Sequence, residues 1–495
     1  MNLDTVLQKH ARTTPNKLAL GWESGEYTYQ ELNEKIQNLA THFLLNGSKA
    51  GDRIALIVDN CPEFVISYYA CMRVGAISVP INPNFTSREF SVIINDSTPK
   101  IIVTNEIVKE ILLNINLECD PKYFIVGSQN FNNPIPNDSM QTSMNLIEIE
   151  EGTILYTSGT TGTPKGAILT HQNLYHNAKT FAEAFNMKED EKTLIVAPLF
   201  HTAAQSNCLN SIMYSGGYSY LLPRWKSSAK TLSAMQEQKT TFFFGPPTMY
   251  TYMLSDPNIK EYNLKLRFAY TGGAPLSSSL FNKWRETMGF EIVEGYGLTE
   301  CSPVVSINPP NGRKKLGSVG IPINDVSVKI VNELFEEVGI DEPGELLVKG
   351  PNVMQGYYKR LEDTQIAFID GWFKTGDIAK RDTDGYLYIV DRKKDMIIRS
   401  GFNVYPKEVE DVLCQHPAVL EAAVIGFSDN EKGELVKAVV LLKDDCIENI
   451  TSELEEFCKK RLATYKVPQK FEIVKELPKT NLGKIIKAKL RELYV

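Results

Sequence analysis

The chain has 495 residues, 43% of them hydrophobic, and a formal net charge of −7. Such a length predicts two or three domains with large buried cores, and the acidic balance argues against general nucleic-acid binding. Apolar runs stop short of the ~18 residues of a membrane span, residues 1–4 lack the basic and apolar regions of a secretion signal, and the eight cysteines form no C-x-x-C pair, which predicts free thiols in a cytoplasmic protein rather than disulfides or zinc.

The first stretch alternates strand and helix patterns. Thr28 and Glu31 form a capping box opening a helix whose apolar face is Leu32, Ile36, Leu39, Phe43 and Leu44. Strands are predicted at 53–58, 76–79, 101–103 and 123–126, with helices at 62–74 and from Ser87, as N-cap, to Asn95. This alternation predicts a mainly parallel sheet with covering helices. The polar stretch 128–145 reads as a loop.

Residues 156–166 read Y-T-S-G-T-T-G-T-P-K-G. The glycines let a ligand approach the backbone, and successive N–H groups in such a loop cradle anions. Thr157, Ser158, Thr160 and Thr161, with Gly159 between them, add neutral donors, and Lys165 adds a point charge suited to phosphate. Polyphosphate is the ligand this composition favours, although a Ser/Thr/Gly-rich linker has the same composition. The string is neither a Walker A loop nor a dinucleotide fingerprint.

Further strands are predicted at 193–196, ending in Phe200 and His201; at 218–222; and at 241–244, running into Gly245 and a helix that carries Met249. A strand through Tyr270 leads into Gly272-Gly273-Ala274-Pro275, and another at 291–293 leads into Gly295-Tyr296-Gly297-Leu298-Thr299-Glu300 and Cys301. Ends of strands in open α/β sheets are where ligands bind. Tyr296 offers a flat face for a base, Thr299 a donor for phosphate, and Glu300 a hard oxygen ligand for Mg²⁺. From 318 to 390 the pattern becomes β-rich, with period-two strands around 326–330, 344–348 and 385–390. Within it lies Thr375-Gly376-Asp377, whose carboxylate can take both hydroxyls of a ribose, or can equally be a turn aspartate. A charged run from Asp391 and Arg392 to Asp395 precedes 397–406, I-I-R-S-G-F-N-V-Y-P. The tail is a compact α/β unit ending in 478–485, P-K-T-N-L-G-K-I, with Lys487 just beyond.

These strings, in this order, resemble the motifs of the adenylate-forming, acyl-activating enzymes: acyl-CoA synthetases, luciferases and peptide-synthetase adenylation domains. The pattern is nearest to bacterial long-chain fatty acid–CoA ligases, and Ile398 departs from the lysine of many aryl-CoA ligases. The resemblance covers nearly the whole chain. It implies an α/β fold with a large N-terminal domain (1–390), made of mainly parallel sheets with helices (1–317) plus a small β-barrel-like subdomain (318–390), and a small mobile C-terminal α+β domain (391–495) hinged at Asp391. It implies ATP, Mg²⁺ and coenzyme A as cosubstrates, with a carboxylic acid activated as acyl-AMP and passed to a thiol; a carrier-protein thiol is the alternative acceptor.

The resemblance also assigns roles. Thr157, Ser158, Gly159, Thr160, Thr161 and Lys165 would hold the phosphates. Gly273, Ala274 and Pro275 would border the adenine together with Gly295, Tyr296 and Gly297. Asp377 and Arg392 would take the ribose, Glu300 the metal, and Asn403 would lie near the adenylate. Lys484 would be the catalytic lysine, aided by Thr299 and His201. Ser400, Gly401 and Phe402 would serve the thioester step, and Phe200, His201, Gly245, Met249, Tyr270, Gly272 and Cys301 would line the acyl pocket. Peripheral contact with a membrane and the oligomeric state stay open.

Overall fold

A computed structural model of the protein describes residues 2–127, 149–157, 164–429, 433–443, 449–479 and 485–494. Their strands form four sheets. In the nine-stranded sheet, six neighbours run parallel: Ile292–Gly297, Phe268–Thr271, Phe242–Phe244, Lys192–Ile195, Tyr218–Leu221 and Leu18–Trp22. Antiparallel strands close both of its edges. A seven-stranded sheet is parallel through Glu151–Thr157, Ile77–Pro80, Arg53–Ile57, Ile101–Thr104 and Lys122–Ile125, and the antiparallel hairpin partner Lys165–Thr170 extends it. The predicted parallel architecture is therefore present, as two sheets rather than one.

The helix Pro62–Val74 explains how the two sheets share a core. Every residue in it is buried except Glu63, the pattern of a helix apolar all round and enclosed on all sides. Proline opens it, and Gly75 closes it in the left-handed region at φ 68°. It packs on Arg53–Ile57 and Ile77–Pro80 of one sheet and on Leu18–Trp22 of the other. The capping box at Thr28 and Glu31 forms as predicted, with both reciprocal hydrogen bonds. At the next helix the predicted cap moves by one residue. Thr86, not Ser87, caps Ser87–Ser97, because Glu89 three residues after Thr86 completes a second capping box. The predicted loop 128–145 lies outside the described residues.

The β-rich stretch folds as an antiparallel sheet of Ser327–Val331, Gly344–Lys349, Trp372–Arg381, Phe368–Ile369 and Leu387–Arg392. Beyond it, Val419–Asp429 and Gly433–Leu442 form a long antiparallel pair, with the hairpin Ile397–Arg399 and Phe402–Val404 on one side and Lys470–Val474 on the other. The main buried cluster runs from Leu3 to Leu387. A separate cluster runs from Ile397 to Val467 and shares no residue with it. The smaller C-terminal part thus carries its own core, as an independent domain requires. Among the described residues no helix is long and apolar enough to cross a membrane.

Candidate active site

Four adjacent parallel strands of the nine-stranded sheet end along one edge. Lys192–Ile195 leads to Phe200 and His201, Phe242–Phe244 to Gly245, and Phe268–Thr271 to Gly272 and Gly273, while Ile292–Gly297 itself carries Gly295, Tyr296 and Gly297. Parallel registry gathers these distant segments: Phe244 pairs with Tyr270, and Tyr270 with Val293. Cross-links fix the turns. Thr271 Oγ1 donates to Gly245 O at 2.9 Å, and Tyr250 OH donates to Tyr270 O at 2.8 Å. Met249, Tyr270 and Cys301 are buried. His201 caps a short helix, with Nδ1 accepting from Ala203 N–H, and burial pushes its imidazole down to about 4, so it is neutral at neutral pH. Gly297 permits the closest approach in the loop: a Cβ there would stand 2.0 Å from Pro303 O.

The strand through Tyr296 runs further than its sequence pattern predicts, from Ile292 to Gly297. Glu294 on it is buried and accepts from Leu276 N–H at 3.1 Å, tying the 272–276 turn to the 295–297 segment. Burial pushes its carboxyl up to about 7, opposed by the Leu276 hydrogen bond and the Lys407 charge and assisted by Asp411.

The antiparallel hairpin Glu151–Thr157 and Lys165–Thr170 of the other sheet carries both ends of the Ser/Thr/Gly string, with Thr157 opposite Lys165. Ser158, Gly159, Thr160 and Thr161 lie outside the described residues, as does Lys484. Lys165 Nζ forms an ion pair with Asp363 at 2.5 Å and stands 5.5 Å from the ring centre of Tyr357. The Tyr357 hydroxyl donates to Glu300 Oε1 at 2.9 Å. The lysine proposed from sequence for phosphate and the carboxylate proposed for metal are therefore joined through one tyrosine.

A second cluster forms across the antiparallel pair Trp372–Arg381 and Leu387–Arg392, where Asp377 stands directly opposite Arg392. Asp377 is 2% exposed. One oxygen accepts from Arg392 Nε at 2.7 Å and the other from Tyr296 OH. Asp391, one residue earlier, accepts from Arg392 N–H and from Lys407 N–H, both at 2.7 Å. Lys407 lies in the first turn of the helix Pro406–Leu413, so this carboxylate bridges the β-rich sheet and the C-terminal unit.

The family of AMP-binding enzymes matches residues 7–358, and the AMP-binding enzyme C-terminal domain matches residues 408–484. A long-chain-fatty-acid–CoA ligase of Bacillus subtilis (strain 168) is 34% identical over 528 aligned residues, covering 99% of this chain and 94% of that protein. The chain belongs to the AMP-binding enzyme family. It is an ATP-dependent acyl-CoA ligase of that family, an AMP-forming acid–thiol ligase. A feruloyl-CoA synthase of Amycolatopsis sp is 35% identical to the ligase, covering 98% of both chains. The crystal structure of ATP-bound MatB from Rhodopseudomonas palustris superposes with a TM-score of 0.93 at 31% identity, covering 100% of the ligase and 99% of that chain. Apo MatB from the same organism gives 0.80 at the same identity, covering 100% and 99%.

Some candidates of the ligase are not gathered here. Ser400 and Gly401 form the tip of the hairpin Ile397–Arg399 and Phe402–Val404, both at positive φ (49° and 80°), as a tight hairpin turn demands. Phe402 stacks on Tyr465 at 4.9 Å, Arg399 donates to Tyr465 O, and Asn403 is exposed. The hairpin tip expected to serve the thioester step, Ser400, Gly401 and Phe402, and Asn403, expected near the adenylate, thus make their contacts within the C-terminal unit or face outward. Lys487 pairs with Glu410 at 2.8 Å inside the C-terminal unit. Sequence reasoning missed Tyr357, Asp363, Glu294 and Lys407. It also missed Gln205–Asn210, a π-helical segment that is fully buried despite its polar residues. Mid-helix π geometry is a recurrent mark of functional positions, but no periodic pattern announces it.

Proposed function

We propose that the ligase activates a medium- or long-chain fatty acid. The observation that carries this reading is the apolar character of the four strand ends, where Met249, Tyr270 and Cys301 are buried and Gly245 lies against Met249. An acyl chain gains by leaving water against such a surface, and no acidic side chain of the proposed pocket set offers to hold an ammonium group. The similarity to a long-chain-fatty-acid–CoA ligase points the same way.

In this reading the acid carboxylate attacks the α-phosphate of ATP, giving acyl-AMP and pyrophosphate, and the thiol of coenzyme A then takes the acyl group and releases AMP. Charge stabilisation at the phosphates carries the first step, without a covalent protein nucleophile. Residues 157–165 hold the β- and γ-phosphates, and Glu300, a half-buried carboxylate, fits the hard-oxygen ligand that Mg²⁺ requires. Tyr296 faces the base, with Gly273, Ala274, Pro275, Gly295 and Gly297 beside the adenine; Thr299 donates to phosphate. Asp377 takes the ribose hydroxyls beside Arg392, and Lys484 stands between carboxylate and α-phosphate. Residues 391–495 move as a domain about Asp391 relative to 1–390, bringing the 397–406 hairpin to the thioester step.

One observation favours a second reading, an aryl acid. Gln205 Oε1 and Asn207 Oδ1, on the segment just after His201, are buried without a hydrogen-bond partner among the described residues. A phenolic hydroxyl would satisfy such an acceptor. The deciding test is a pyrophosphate-release panel of fatty acids of increasing length against cinnamate-type and benzoate-type acids, with free coenzyme A and a carrier protein as alternative acceptors. A fatty acid should give the highest kcat/KM, with transfer to free coenzyme A. A higher value for an aryl acid than for every fatty acid would establish the second reading instead.

A further inference from the structure

Glu300 meets different surroundings on its two oxygens. Oε1 accepts from the Tyr357 hydroxyl, whereas no described residue donates to Oε2. Tyr357 is the second residue of the two-residue strand Gly356–Tyr357, which adds to the edge of the phosphate hairpin with Tyr357 opposite Ala167. The backbone around it is tied down on both sides. Met354 N–H donates to Glu300 O at 2.7 Å, Gln355 N–H to Ile168 O at 3.0 Å and Tyr358 N–H to Gly166 O at 2.8 Å. Tyr357 N–H donates to Thr364 Oγ1 at 2.8 Å. A phenol mounted so firmly has little freedom to leave Glu300.

We propose that Tyr357 is a positioning residue of the ATP site. Its hydroxyl holds one oxygen of Glu300 so that the other faces the divalent cation of MgATP, and its ring carries the Lys165 ammonium beside the same phosphates. The proposal rests on the reading of Glu300 as a metal ligand. Mg²⁺ demands near-ideal octahedral geometry and takes only one or two carboxylates from its protein. A carboxylate free to rotate about its terminal torsion would meet that demand poorly. Hydrogen-bond partners behind a ligand fix its orientation, and losing one typically costs ~10–100-fold in metal affinity or activity. The Lys165–Asp363 pair completes the arrangement: the ammonium over the Tyr357 ring also pairs with Asp363, on the helix Leu361–Ala367 that follows Tyr357.

The test measures ATP binding to the full chain by calorimetry across a Mg²⁺ titration, for wild type, Tyr357→Phe, Glu300→Gln and the double variant. Phenylalanine keeps the ring under Lys165 and removes only the hydroxyl. Tyr357→Phe should raise the Mg²⁺ concentration for half-maximal binding roughly tenfold, leave metal-free ATP binding unchanged, and add nothing in the Glu300→Gln background. Equal weakening with and without Mg²⁺ would mean a structural role and overturn the proposal. A shift with Glu300→Gln but none with Tyr357→Phe would overturn it while leaving Glu300 as the ligand. No shift in either would remove the metal assignment itself.

Discussion

Asp391→Ala tests how the C-terminal unit is held. The Asp391 carboxylate is 7% exposed and accepts two hydrogen bonds at 2.7 Å; the one from Lys407 N–H crosses to the helix Pro406–Leu413. A hydrogen bond to a charged group contributes about 1.5–3 kcal/mol, and an anion at a helix N-terminus adds about 0.3–1 kcal/mol. Alanine removes both and lets little water in. The loss is therefore roughly 1.8–4 kcal/mol, borne by the arrangement that superposes better on ATP-bound than on apo MatB. At about 1.4 kcal/mol per tenfold, that arrangement falls roughly twentyfold to several-hundredfold against its alternatives. Two assays read this: acid-dependent ATP–pyrophosphate exchange, and thioester formation from supplied acyl-adenylate and coenzyme A. Exchange should fall at least severalfold, with thioester formation unchanged or faster, and Asp391→Asn, which keeps an acceptor, should lie between. Proline at this position is a poorer probe, since it deletes the carboxylate while also fixing φ. Equal loss in both half-reactions with an unchanged Tm would refute the reasoning.

Glu294→Gln should change stability in a pH-dependent way. Folding raises this carboxyl from the ordinary 4.5 to about 7, so the folded state binds the extra proton. Its contribution is full below about 4.5 and is lost as pH rises through about 7, by roughly 3 kcal/mol. The Gln variant should match wild type near pH 5 and melt higher at pH 8; a Tm difference independent of pH counts against this. Lys484→Ala should abolish most acyl-AMP formation yet still convert supplied acyl-AMP and coenzyme A to thioester, and equal loss of both steps would show that the lysine is not confined to the first.

The sequence carried the strands and helices whose signals are local. The capping box at Thr28, a β-branched apolar run and a proline-to-glycine helix all fell within a residue or two of their observed bounds. Motif strings carried the residues with distinctive chemistry. What they could not carry was pairing at long range. Lys165 meets Asp363 across 198 residues and Glu300 meets Tyr357 across 57, and neither partner stands in a string that reads as chemistry. A tyrosine after glycine in a two-residue strand looks like an edge aromatic until the hairpin beside it is known. Likewise Glu294 falls between the predicted strand and the glycine motif and carries no signal of its own, because its hydrogen bond from Leu276 N–H is a tertiary fact.

The pairing of Asp377 with Arg392 shows what tertiary structure adds to the proposed roles. Successive residues of a strand face opposite sides. Arg392 therefore addresses Asp377, whose other oxygen Tyr296 holds, while Asp391, its neighbour, addresses Lys407 of the C-terminal helix. Two adjacent residues thus connect the proposed ribose site to the seat of the C-terminal unit, with no intervening loop to absorb a displacement. A nucleotide that draws Asp377 or Arg392 into new hydrogen bonds acts on the strand that Asp391 occupies. Conversely, a C-terminal unit that moved away would take Lys407 with it, freeing Asp391 and loosening Arg392 beside it. The charged run 391–395, which on composition alone is a solvated surface, is therefore half buried where it matters: Asp391 is enclosed, and Asp395 is held by Arg491 at 2.7 Å.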